Sequence, residues 1–81
     1  MQITVHFYSY FKDLTGCSES RQTATEGETL GDLLDGLSRQ FPKLAQMRKS
    51  MLTAVGLDYQ TRDYRLKEGD EVSLFPPVQG G

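Results

Sequence analysis

One amphipathic stripe is the feature that most constrains the fold of this chain. Its apolar side chains recur at helical spacing: Leu30, Leu33, Leu34, Leu37 and Phe41. Thr29 is a good N-cap residue, and Asp32 three positions later resembles a capping box with aspartate in place of glutamate. Pro42 disfavours helical geometry at the residue before it. The sequence therefore predicts one main helix over residues 29–41, with one apolar face that must pack against another element.

Short segments with a period of two flank this helix and predict the strands of a sheet. Ile3, Val5 and Phe7 alternate with polar residues, and Val72 and Leu74 are the inward positions of the last strand. The predicted strands are residues 2–7, 21–25, 51–57 and 71–75, with a turn or short edge strand at 58–62. A short helical turn at 11–14 is predicted to stop at Gly16, and residues 17–20 are predicted to form a loop.

The segment after the main helix is predicted to return to the sheet. Residues 43–50 are basic and are predicted to form an irregular connection. Met51, Thr53, Val55 and Leu57 are predicted to share the inner face of the third strand. The whole order predicts a compact α+β fold, with a mixed sheet and the main helix packed on one face. Parallel pairing of the first and last strands at the centre would make it a β-grasp.

Composition excludes several classes of function. The 9 Lys and Arg against 11 Asp and Glu give a net charge of −2, which argues against a nucleic-acid binder. The single Cys17 excludes an internal disulfide and a multi-cysteine zinc site, so no metal site is predicted. No apolar run approaches the ~20 residues that span a bilayer. We expect a cytoplasmic protein without membrane contact.

The last six residues carry the functional signal. Pro76 and Pro77 lack backbone donors and cannot extend a central strand, so they favour a stiff segment leading away from the sheet. Gly80 and Gly81 have no Cβ atoms and could thread a narrow channel. From the residues alone, a functional end and a frayed end have similar weight.

The chemistry available to such an end is that of a carboxylate. A terminal carboxyl has a pKa of about 3.3–3.7, so at neutral pH it is ionised and a poor electrophile. Activation as an acyl-adenylate from ATP would let a sulfur donor displace the leaving group and form a thiocarboxylate. None of these steps needs a catalytic side chain within the carrier.

The chain resembles the small, sulfur-carrying subunit of molybdopterin synthase. The resemblance rests on residues 69–81, above all on the run Phe75-Pro76-Pro77-Val78, one further residue, and Gly80-Gly81. Residues 11–16 and 51–55 support it. One departure is Gly56, which stands where we expect asparagine in this family.

The resemblance implies a ubiquitin-like β-grasp domain over residues 1–75 and a flexible tail over residues 76–81. It implies that the chain is not an enzyme on its own and holds no permanent cofactor. An adenylating enzyme would use ATP to activate Gly81, which would then carry the sulfur. Its other implied partners are the large synthase subunit and a sulfur donor protein. The implied partner-binding residues are Phe75, Pro76, Pro77, Val78, Gln79 and Gly80. Residues 75–79 would form a docking arm and Gly80 would be the threading residue. Phe75 would be the apolar anchor of the arm, in an outward phase beside the inward Leu74.

Three alternatives to this function stay open. The chain could carry sulfur for the thiamin thiazole ring or for tRNA thiolation. It could be a ubiquitin-like modifier that joins lysines. It could also be a β-grasp interaction module with an inert tail.

Isolated polar side chains are predicted to be structural. His6 is expected to have a surface or cross-strand role, because catalytic histidines need positioned partners. Glu19 near Cys17 argues against the electropositive setting that a reactive thiol needs, and Arg48-Lys49 is predicted to be a solvated loop. Strand packing is the expected role of the four tyrosines: Tyr8, Tyr10, Tyr59 and Tyr64.

An acidic cluster precedes and begins the last predicted strand, and it comprises Glu68, Asp70 and Glu71. It either steers a basic partner by long-range attraction or keeps a turn soluble.

Overall fold

Five strands form one mixed sheet in a computed structural model that describes residues 1–77 of the chain. The strands are β1 (Gln2–Phe7), β2 (Glu19–Thr23), β3 (Leu52–Val55), β4 (Asp58–Tyr59) and β5 (Glu71–Phe75). The helices are α1 (Phe11–Thr15), α2 (Leu30–Gln40) and α3 (Pro42–Ala45). The order across the sheet is β2-β1-β5-β3-β4.

The first and last strands pair in parallel at the centre of the sheet, and the other pairs are antiparallel. In this register Val5 lies opposite Val72, and Phe7 lies opposite Leu74. All four side chains are buried, because both strands alternate in phase. The central parallel pair confirms the predicted β-grasp.

Helix α2 begins where its capping box predicts. The Asp32 backbone N–H donates to Thr29 Oγ1 at 3.2 Å, and the Thr29 N–H donates to Asp32 Oδ2 at 2.9 Å. Such a cap stabilises a helix by about 1 kcal/mol. Four leucines of the stripe are buried in the core against the sheet: Leu30, Leu33, Leu34 and Leu37.

The connection after α2 corrects the sequence prediction. Residues 42–45 form the short helix α3 rather than an irregular segment. Pro42 both ends α2 and starts α3, since its fixed φ suits a first helical turn. Leu44 is fully buried beside the core, and this apolar contact holds α3 in place.

The third strand is shorter than predicted, and Leu57 does not face inward. Strand β3 ends at Val55, and Gly56 adopts φ +61° in a tight turn that leads into β4. Leu57 is fully exposed at this turn. The positive φ accounts for Gly56, because glycine, and after it asparagine, most readily adopts this region.

Strand β2 lies two residues earlier than predicted. The Phe7 N–H donates to the Ser18 carbonyl at 2.9 Å, and the Ala24 N–H donates to the Met1 carbonyl at 2.8 Å. These bonds to β1 bring Glu19 and Ser20 into the sheet, where a loop had been predicted. Helix α1 forms as predicted and ends at Gly16, whose φ is +80°. Within residues 1–77, no helix combines the length and hydropathy needed to cross a membrane.

Candidate functional site

Only some of the predicted site residues lie within the described residues, which end at residue 77. Phe75, Pro76 and Pro77 belong to the described part of the chain and are half-buried. The other predicted site residues lie outside the described residues: Val78, Gln79, Gly80 and Gly81. The structure therefore defines the root of the predicted docking arm, directly after the central strand β5.

Phe75 lies on the sheet face opposite the core. Along β5, Val72 and Leu74 are buried and Phe75 is half-buried, which confirms its predicted outward phase. Its ring stacks on Tyr8 with a centroid distance of 4.7 Å and an interplanar angle of 11°. The Tyr8 N–H also donates to the Leu74 carbonyl at 3.2 Å. Aromatic pairs of this kind contribute about 0.5–1.5 kcal/mol beyond their area burial.

An apolar groove of about 350 Å³ surrounds the root of the tail, and we call it the docking groove. Its main lining residues are Tyr10, Leu52, Tyr59, Phe75, Pro76 and Pro77. Tyr10 and Tyr59 are 44% and 70% exposed, and no lining side chain carries a charge at neutral pH. Exposed apolar surface grouped in this way is typical of a protein-binding site.

The turn after β1 brings Tyr10 to this groove. Ser9 in that turn has φ +57°, a left-handed conformation that is uncommon for a residue other than glycine. The Phe11 N–H donates to the Tyr8 carbonyl at 3.1 Å and closes the turn. The sequence predicted strand packing for Tyr10 and Tyr59, so their position in the groove lining was not predicted.

His6 has the predicted cross-strand role. Its Nε2 atom lies 2.9 Å from Glu71 Oε1, across the central parallel pair. The rest of the acidic cluster also has local partners. Asp70 Oδ2 accepts from the Tyr64 hydroxyl at 3.0 Å and from the Lys67 N–H at 2.8 Å. Burial, together with this bond to Asp70, raises the pKa of Tyr64.

Arg48 is not the solvated loop residue that was predicted. Its guanidinium forms an ion pair with Asp35 at 3.0 Å and donates to the Gly31 carbonyl at 3.3 Å. The Arg62 guanidinium donates to the Arg48 carbonyl at 3.0 Å and to Thr53 Oγ1 at 3.2 Å. Burial and the nearby Arg48 charge lower the pKa of Arg62. These contacts tie Arg48 to α2 and join Arg48 and Thr53 to Arg62.

Cys17 is a half-buried free cysteine whose Sγ lies 3.7 Å from Thr15 Oγ1. Among residues 1–77, no three His, Cys, Asp or Glu side chains are grouped as metal ligands. The docking groove is the candidate functional site because of its exposed apolar lining, and it offers apolar binding at the base of the tail.

Solved structures with this fold include molybdopterin converting factor subunits and small archaeal modifier proteins. A putative molybdopterin converting factor subunit 1 from Pyrococcus furiosus has a TM-score of 0.88 and 27% identity, covering 96% of this chain and 99% of that one. SAMP1 from Haloferax volcanii has a TM-score of 0.89 and 22% identity over the full length of both chains. A chain in the complex of subunits 1 and 2 of the molybdopterin-converting factor from Helicobacter pylori has a TM-score of 0.71 and 23% identity, with both chains fully covered.

Sequence comparisons give the family. The molybdopterin synthase sulfur carrier subunit of Escherichia coli is 32% identical over 81 residues, covering 98% of this chain and 99% of that protein. Small archaeal modifier protein 3 of Haloferax volcanii is 28% identical over 94 residues, and both chains are fully covered. The model of the ThiS family matches residues 5–81. The chain, a small β-grasp protein, therefore belongs to the ThiS family.

Proposed function

We propose that this chain is the sulfur carrier subunit of a molybdopterin synthase and that Gly81 carries the sulfur. The observation that carries the proposal is the 32% identity to the Escherichia coli sulfur carrier subunit over nearly the whole of both chains. The match of the family model through Gly81 supports a role for the tail. On this proposal the chain is a substrate and subunit, and the partner proteins perform the catalysis.

The proposed chemistry takes place on the Gly81 carboxyl group. An adenylating enzyme joins the carboxylate to the α-phosphate of ATP and releases pyrophosphate. Sulfur from a donor protein then displaces AMP and leaves a thiocarboxylate; it arrives either as hydrosulfide or as a persulfide, in which case a thiol reduces the resulting acyl disulfide. The thiocarboxylate sulfur then bonds to a pyranopterin precursor of the molybdenum cofactor, and water cleaves the acyl–sulfur bond, so that the tail returns to the carboxylate form.

The docking groove is the proposed contact with the large synthase subunit. Phe75, Pro76 and Pro77 lie at the rim of this uncharged surface, so an apolar partner surface could cover it at little cost in desolvation. Residues 75–79 would then form the docking arm, and Gly80 would thread into the partner's active site. The Helicobacter pylori complex of subunits 1 and 2 supports a partner of this kind.

Intact-mass measurement tests the proposal. The chain is incubated with ATP, the activating enzyme and a sulfur donor, and we expect the mass gain of one oxygen-to-sulfur exchange. Deletion of Gly81 should abolish that gain and leave folding unchanged. Leu57→Ala, which changes a fully exposed residue outside the tail, should still be loaded. Normal loading of the truncated chain would refute the proposal, and an unchanged mass for the intact chain would favour an inert tail.

A second candidate is a protein modifier. The full-length match to small archaeal modifier protein 3 favours it. A modifier would form isopeptide bonds between Gly81 and lysines, so mass spectrometry of cell extracts would find target peptides bearing its C-terminal glycines. A sulfur carrier alone would leave none.

A further inference from the structure

The outer edge of β2 presents unpaired backbone groups. Strand β2 is the first in the sheet order, so only β1 pairs with it. Ser18 and Ala24 bond to β1, and in an antiparallel ladder the bonded residues lie two apart. Glu19, Arg21 and Thr23 therefore direct their N–H and C=O groups away from β1. Within residues 1–77, no hydrogen bond to these backbone groups is formed. Such an edge is a template for strand addition.

A groove of about 390 Å³ runs between this edge and helix α2, and we call it the edge groove. Gln22 lines it on the β2 side and donates to Gln40 Oε1 at 3.1 Å, which joins the strand to the end of the helix. Leu33 lies on the α2 side. Gly36 leaves space, since a Cβ there would meet only Arg39 Nη2, at 3.9 Å.

The charge of the edge groove is negative. Glu28, Asp32 and Asp35 line it, against the single cation Arg39. Asp35 is paired with Arg48, and one oxygen of Asp32 caps α2. The Glu28 carboxylate, by contrast, has no hydrogen-bond partner among residues 1–77. A lysine or arginine entering here could lay its apolar stem along Leu33 and place its charge beside Glu28.

We propose that the β2 edge and the edge groove together bind an extended segment of a partner protein that carries lysine or arginine at alternate positions. The segment adds a strand to the sheet through the backbone groups of Glu19, Arg21 and Thr23. Its alternate side chains enter the edge groove and give the specificity. This interaction does not depend on the proposed sulfur chemistry, because β1 separates β2 from β5 and the docking groove.

A second copy of the chain fits the edge less well. Antiparallel pairing of two β2 strands about their middle residue would place the two Arg21 side chains directly opposite each other. Like charges in that position are destabilising. The charge of the edge groove therefore favours a basic segment of a different protein.

Binding of a capped synthetic peptide of alternating valine and lysine tests the proposal. We expect slower amide hydrogen exchange at Glu19, Arg21 and Thr23, measured by NMR on the full chain. Arg21→Pro removes an outward N–H without breaking a bond to β1, and it should weaken binding about tenfold. Arg21→Ala keeps that N–H and should bind at least as well as the unmodified chain. Glu28→Lys should also weaken binding.

The comparison peptide alternates valine and glutamate. Equal binding of the two peptides, protection at another surface, or no binding of the lysine peptide would each overturn the proposal. Protection of the β2 amides without any peptide, together with a dimer in sedimentation, would also overturn it in favour of a second copy. Circular dichroism confirms that each variant is folded before binding is measured.

Discussion

Tyr64 connects three separate parts of the chain. Its hydroxyl donates to Asp70 Oδ2 at 3.0 Å, and Asp70 holds the turn before β5 through the Lys67 N–H. Its backbone carbonyl accepts from the Leu30 N–H at 2.8 Å, at the start of α2. One residue therefore ties the main helix to the last turn before the central strand.

The raised pKa of Tyr64 predicts a loss of stability at alkaline pH. The folded chain keeps the Tyr64 proton where the unfolded chain, with a pKa of about 10, releases it. This contribution is fully present below about pH 10 and is lost as pH rises toward the folded pKa. Tyr64→Phe should lower the free energy of unfolding by about 1 kcal/mol at pH 7 and flatten its decline above pH 10. Urea unfolding of the variant and of the unmodified chain, at pH 7 and at a series of pH values above 10, measures these effects. If the free energy of unfolding declines equally steeply above pH 10 in both proteins, the prediction is contradicted.

At the scale of elements, the two glycines of α2 differ in their surroundings. A Cβ at Gly31 would lie 3.2 Å from the Arg62 carbonyl oxygen, which accepts the Gly31 N–H at 2.8 Å. A Cβ at Gly36 would make only an ordinary contact, with Arg39 Nη2 at 3.9 Å. A side chain at Gly31 therefore requires the neighbouring backbone to shift slightly, whereas glycine at position 36 only lowers helix propensity.

Alanine substitutions should separate these two roles. Gly36→Ala should raise the free energy of unfolding by up to about 1 kcal/mol, since alanine is the better helix former. Gly31→Ala should gain less or lose stability, because the backbone contact with Arg62 must open. Urea unfolding of the two variants under the same conditions measures the difference. Equal gains would show that the close approach at Gly31 has no energetic consequence.

At the scale of the whole molecule, the two faces of the sheet have different roles: one stabilises the fold and the other offers a binding surface. Its inner face holds the core under α2, and the end of its outer face holds the docking groove. The Tyr8–Phe75 stack belongs to the outer face. Changes there should affect partners more than folding.

Phe75→Ala tests this separation. If the large synthase subunit is the partner, as proposed, we expect the Phe75 variant to bind it at least about tenfold more weakly, because a central aromatic side chain commonly dominates an interface. The free energy of unfolding should fall by only about 1 kcal/mol, as the stack is lost. Titration calorimetry measures the first effect and urea unfolding the second.

Leu57→Ala is the matched control, because Leu57 is a fully exposed apolar residue at the β3–β4 turn outside the groove lining. It should change neither stability nor binding. Normal binding by the Phe75 variant would show that the docking groove is not the contact surface.

The sequence by itself determined the helix and the strands that have a clear apolar periodicity. The leucine stripe with its Thr29 cap predicted α2, and alternation predicted β1 and β5 with an outward Phe75. These predictions hold because helical and strand periodicity are properties of neighbouring residues. The tail motif led directly to the family, since it is read from consecutive residues.

Contacts between distant residues decided the rest. Pairing with β1 sets the bounds of β2, the Gly56 turn exposes Leu57, and burial of Leu44 stabilises α3. The docking groove joins residues from β3, β4, the turn after β1 and the end of β5. The guanidinium contacts of Arg48 and Arg62 likewise cross between segments. No local sequence pattern predicts these contacts between segments, because they form only after the sheet has brought the segments together.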